Sequence, residues 1–129
     1  MKKAFLLFSF LLIGLLAIAQ NPCPQVIPAL QEWKGSKGTL HLPAQGSIII
    51  NPSDETALAS TAAILKNDLK VLMGWEYTII TGKAKKDGIY LSLSEPDEQL
   101  GKEGYELSIL NKASIQAPTA QGVFWGTRT

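Results

Sequence analysis

The chain has 129 residues, with 12 Lys and Arg against 11 Asp and Glu, one His and one Cys, and 46% of its residues are apolar. That length holds one modest domain with its own core and excludes a domain joined to a large catalytic barrel. The formal charge of +1 gives no electrostatic footprint for nucleic acid or an anionic membrane surface, and a single cysteine excludes an internal disulfide.

Met1-Lys2-Lys3 is a short positive start, residues 4–19 are almost unbroken apolar sequence, and Ala17-Ile18-Ala19 is the small-x-small pattern that signal peptidase accepts. Residues 1–19 are therefore expected to be a secretory signal. A membrane anchor needs about 20 apolar residues, and this run is shorter and stops at Asn21-Pro22-Cys23-Pro24. A lipoprotein signal would place small residues directly before Cys23, where Gln20-Asn21-Pro22 stand instead. Cleavage after Ala19 takes 19 of the 129 residues and leaves 110; losing Lys2 and Lys3 turns 12 positive charges against 11 negative into 10 against 11. The expected destination is the periplasm or the extracellular space, with no membrane partner after cleavage. Cys23 is there either a free thiol or paired with something outside this chain.

Residues 20–129 are expected to form one α+β domain. Residues 30–33 and 39–42 read as strands flanking Gly35-Ser36-Lys37-Gly38, a composition suited to a hairpin turn. Residues 47–51 are a short Ile-rich strand. Pro52-Ser53-Asp54-Glu55 then starts a helix, with Ser53 able to cap free N–H groups and two acids near the positive end of the dipole. Leu58, Ala62, Leu65, Leu69 and Leu72 recur at three- and four-residue spacing, so one face packs on a sheet, and Gly74 stops the helix. Residues 76–81 and 89–94 are strands rich in β-branched and aromatic residues, joined by a loop carrying Lys83, Lys85 and Lys86 that reads as a hairpin connection. Residues 94–103, polar and holding Pro96 and Gly101, are a surface loop.

Tyr105, Leu107 and Ile109 alternate with polar residues, Asn111-Lys112 supplies a turn, and Ile115 and Ala117 continue on a second alternating run, which predicts a β-hairpin. Pro118 closes the strand, Thr119 caps a second helix, and Val123, Phe124 and Trp125 begin its apolar face. No Gly, Asn or terminal basic turn ends that helix properly, so the chain is expected to be a piece of a longer protein. Strands gathered around one long helix predict a mixed β-sheet with helices packed on one face.

Val26-Ile27-Pro28 leading to Gly38-Thr39-Leu40, the capped helix, and above all Glu103-Gly104-Tyr105-Glu106-Leu107 followed by residues 117–129 resemble the N-terminal accessory domain of the β-N-acetylhexosaminidases of glycoside hydrolase family 20. In that family a GY-x-L-x-I strand, an I-x-A strand and a G-x-F-x-G-x-x-T helix lead into a (β/α)8 catalytic barrel. Gly122, Phe124, Gly126 and Thr129 hold the last pattern, while Arg128 stands where the family often has Gln. The resemblance covers essentially the whole chain after residue 19 and implies a zincin-like α+β fold. It implies, too, that the catalytic, cofactor-binding and metal-binding residues in this chain are none. The family's adjacent Asp-Glu pair sits on the barrel: the substrate's 2-acetamido group attacks the anomeric carbon, the Asp orients it, and the Glu protonates the leaving oxygen. No metal or organic cofactor enters that reaction. The implied partners are the missing barrel of the same chain and, through it, glycans ending in N-acetylhexosamine.

Each tempting site within the chain has a structural reading that outweighs a functional one. Asp97-Glu98 follows Pro96 in a polar loop, and Asp54-Glu55 sits where a helix start favours negative charge. His41 lacks the further ligands a metal needs and reads as a surface strand residue. Ser92, Ser94 and Ser108 have no Gly-x-Ser-x-Gly elbow, and His41 would be their only base. The lysines at 83, 85 and 86 are ordinary solvated loop charge. Trp33, Trp75 and Trp125 could stack on sugar rings if exposed, but Trp125 is expected to be buried against the sheet or the barrel.

These residues are compatible with functions from two different classes. The first is the accessory domain of an exported β-N-acetylhexosaminidase, inert alone, that buttresses the barrel through Val123, Phe124 and Trp125. The second is an exported carbohydrate-binding or interaction module that works without a barrel, and a variant of the first keeps the accessory role but places it in another glycosidase family.

Overall fold

The consecutive residues Ile48, Ile49 and Ile50 are stiff at χ1 and suit a pleated strand covered on both faces. The computed structural model, which describes residues 20–27 and 29–129, places them in the middle of a sheet. They end β1, Gln45–Ile50, which pairs in parallel with β2, Glu76–Thr81, on one side and with β3, Ile89–Leu93, on the other. β4, Glu106–Ile109, and β5, Ala113–Ala117, form the expected hairpin, and β5 runs parallel to β3. The order β2-β1-β3-β5-β4 makes a five-stranded mixed sheet.

The register aligns Ile48 with Ile89 and Ala113, and Ile50 with Leu91 and Ile115. Since alternate residues of a strand share a face, these side chains project to one side. Two helices cover that side: α1, Glu55–Met73, and α2, Ala120–Gly126. Leu58, Ala62 and Leu65 of α1 and Val123 of α2 join Ile48, Ile50, Leu91, Ile115 and Ala117 in a single buried cluster. The architecture is the α+β arrangement read from the sequence.

Ile49 points to the opposite face and is nevertheless 0% exposed. Residues 82–88 carry the chain from β2 past β1 to β3, and Gly88 packs there, so close that a Cβ on it would lie 3.1 Å from Ile49 Cδ1. This corrects the expected hairpin: β2 and β3 are parallel strands on either side of β1, and their lysine-bearing link crosses the sheet. Asp87, at φ 58, turns the link, and its amide donates to the Asn111 carbonyl in the β4–β5 turn at 2.8 Å.

α1 ends as its sequence requires. Gly74 adopts φ 69, its amide reaches the Lys70 carbonyl, and the Trp75 amide reaches that of Leu69, the pairing that satisfies a helix C-terminus. Its beginning differs from expectation. A short 3-10 turn, Pro52–Asp54, precedes it, and the Ser53 hydroxyl donates to Asp54 Oδ1 instead of capping the helix. Leu72, on the predicted core face, is 78% exposed. A helix of 19 residues spans about 28 Å, whereas a six-residue strand reaches about 20 Å. The last turn of α1 therefore overhangs the sheet.

The chain divides into two units, Met1–Gly38 and Thr39–Thr129. In the first, the hairpin strand expected at residues 30–33 is irregular, as is residues 39–42 in the second. Side-chain and backbone bonds specific to this segment take its polar groups: the Asn21 amide donates to the Ser36 carbonyl, Asn21 Nδ2 to the Gly38 carbonyl, and Trp33 Nε1 to the Asn21 carbonyl. Cys23 is exposed and free. The expected secretory signal at residues 1–19 and the Pro28 part of the Val26-Ile27-Pro28 pattern lie outside the described residues.

Candidate functional site: the terminal helix and its seat

Two segments that carry the family resemblance, residues 103–107 and 117–129, touch in space. Thr119 caps α2: its Oγ1 accepts from the Gly122 amide at 3.0 Å and donates to the Lys102 carbonyl. Gln121 Nε2 donates to Glu103 Oε1 at 2.6 Å. A Cβ on Gly122 would overlap the Gly104 carbonyl oxygen and lie 2.7 Å from Ala117 Cβ, so only glycine lets the helix come this close. One turn on, a Cβ on Gly126 would lie 2.5 Å from Ile115 Cγ2 and 3.0 Å from the Tyr105 ring. The Tyr105 and Thr129 hydroxyls complete the contact with a hydrogen bond. The G-x-F-x-G-x-x-T pattern thus seats a helix on the GY strand, and its work here is packing.

Successive helix residues are turned by about 100°, so Val123, Phe124 and Trp125 cannot share the single apolar face expected of them. Val123 points inward and is fully buried; Trp125 points outward and is 43% exposed. Phe124 lies between them, edge-on to Trp125 with ring centroids 5.3 Å apart and with the Arg128 guanidinium 4.8 Å above its ring. Arg128 also pairs with Asp68 of α1. Asp68 shares its helix stripe with Ile64 and Val71, at spacings of four and three residues, and both of those are exposed. On the outer surface of the helix layer, Ile64 and Val71 of α1 therefore flank the Asp68–Arg128 pair, and α2 exposes Trp125.

The acidic pairs do different things. Asp54 is buried, and its carboxylate accepts from the Leu93 amide and Asn51 Nδ2, both at 2.9 Å, and from the Ser53 hydroxyl at 3.0 Å. Burial alone would raise its pKa; the Leu93 amide and the Asn51 and Ser53 side chains outweigh this and hold the carboxyl below its usual range. Asp54 is a strut between the start of α1 and the end of β3, and Glu55 beside it is exposed. Asp97 and Glu98 line an open cleft of about 380 Å³ with Glu95 and Glu106, and Asp97 Oδ1 accepts the Gln99 amide at 2.8 Å, a loop bond.

His41 is exposed and belongs to no strand. Ser92 is buried in β3, Ser108 is half-buried in β4, and the Ser94 hydroxyl donates to the Glu95 carbonyl; no base stands against any of them among the described residues. Lys83, Lys85 and Lys86 are exposed. Trp75 is half-buried and stacks on Tyr77 at 6.2 Å, while Trp33 is exposed. Sequence reasoning missed the Arg128 partner and the exposed Ile64 and Val71. The three- and four-residue spacing of Ile64, Asp68 and Val71 was the available signal, hidden behind the stronger leucine stripe on the other side of α1.

A search of curated proteins finds no match. Among solved structures, the chain is similar to one described as a GH138 enzyme targeting pectin rhamnogalacturonan II, at 22% identity and a TM-score of 0.49. The alignment covers 63% of this chain and 9% of that one, so the chain spans less than a tenth of that structure's length. A family model, described as glycosyl hydrolase family 20, domain 2, matches residues 23–129. That span contains both halves of the interlock between residues 102–105 and α2, and the chain belongs to glycosyl hydrolase family 20 as its domain 2.

Proposed function

We propose that this chain is the non-catalytic accessory domain of an exported β-N-acetylhexosaminidase, in which residues 1–19 direct export and residues 20–129 brace a catalytic barrel of the same protein. The parent would remove terminal N-acetylhexosamine by a retaining mechanism in which the substrate's acetamido group is the nucleophile. The observation that carries this reading is the family-20 domain-2 match over the interlocked GY strand and terminal helix. The described carboxylates support an inert domain: Asp54 is committed to three donors, and Asp97 to its own loop.

The bracing surface in this reading is the outer side of the helix layer. Trp125, Ile64 and Val71 are the exposed apolar groups there, and covering them would contribute about 25 cal/mol per Å² removed from water. Val123, already buried, takes no part. The test is hydrolysis of a chromogenic N-acetylglucosaminide and N-acetylgalactosaminide by the full-length gene product and by the 129-residue chain. Cleavage by the first alone is expected; failure of the full-length protein on every hexosaminide overturns the reading.

The exposed indoles of Trp33 and Trp125 favour a second reading, a carbohydrate-binding module. Calorimetric titration of the 129-residue chain with chito-oligosaccharides separates the two: binding that either Trp33→Ala or Trp125→Ala abolishes supports the module, and absence of binding overturns it.

A further inference from the structure

We draw no further inference here: the strongest candidate, the outer edge of β2, a six-residue strand that ends the sheet with Ile79 exposed beside it, carries nothing because no feature of the structure shows what covers it.

Discussion

Asp68 and Arg128, 60 residues apart, form an ion pair that joins the middle of α1 to the residues just after α2. About a third of each side chain remains exposed, 28% and 35% respectively, so solvent screens much of the attraction. A double-mutant cycle with Asp68→Asn and Arg128→Gln should return a coupling of about 0.2–1 kcal/mol, shrinking as salt is raised. A vanishing coupling, with Arg128→Gln alone still destabilising, would assign the role of Arg128 to its packing on Phe124 instead.

The glycine interlock predicts a much larger effect. Gly122→Ala puts a methyl into the Gly104 carbonyl, an overpacking that should cost about 1–3 kcal/mol in urea or thermal unfolding. Gly82 is the control: nothing lies within 4 Å of its Cβ direction and its φ is not positive. Gly82→Ala should therefore be neutral or should stabilise the chain by about 0.4–1 kcal/mol. Equal losses at the two positions would refute the interlock.

The Asp54 strut makes stability depend on acid. Its folded pKa lies below the unfolded one, so its contribution is complete above the unfolded value, near 3.8, and is lost as pH falls through the still lower folded value. Thermal melts should therefore drop on acidification below about pH 4. Asp54→Asn should be destabilised by about 1–3 kcal/mol at neutral pH and should show a shallower acid limb. An unchanged acid limb in the variant would remove Asp54 as its cause.

α1 provides a contrast within one helix. Leu65→Ala, in the buried cluster, should cost about 2–5 kcal/mol, and Leu72→Ser, on the overhanging turn, should stay within about 0.5 kcal/mol in the 129-residue chain. Chemical denaturation of the two variants reads both numbers.

Local signals made much of this fold legible. β2 has the bounds that its β-branched run predicts, Gly74 stops α1, and the terminal hairpin and the Thr119 cap arise from alternation and side-chain chemistry. What escaped was set by partners distant in sequence. Glycine-rich turn chemistry at residues 35–38 suggested a hairpin, but Asn21 holds that segment by bonds spanning up to 17 residues. Periodicity placed Leu72 on the core face correctly in angle, yet it carries no information on how far the sheet extends beneath the helix. Their β-branched and aromatic content identified β2 and β3 but not that β1 lies between them. At the candidate site, the motif identified the residues of α2 and left their purpose open; the near-contact of Gly122 with Gly104 shows it to be a close seat for a helix.

The placing of β1 at the sheet's centre governs how a nascent polypeptide can acquire this structure. Its two neighbours start at Glu76 and Ile89, and the layer of Leu91, Ile115 and Val123 is finished only by α2. Synthesis from the amino end thus leaves the isoleucines of β1 accessible to proteases and chaperones until nearly the whole sequence has emerged. Parallel pairings of this kind close slowly, because distant segments must meet before any contact rewards them.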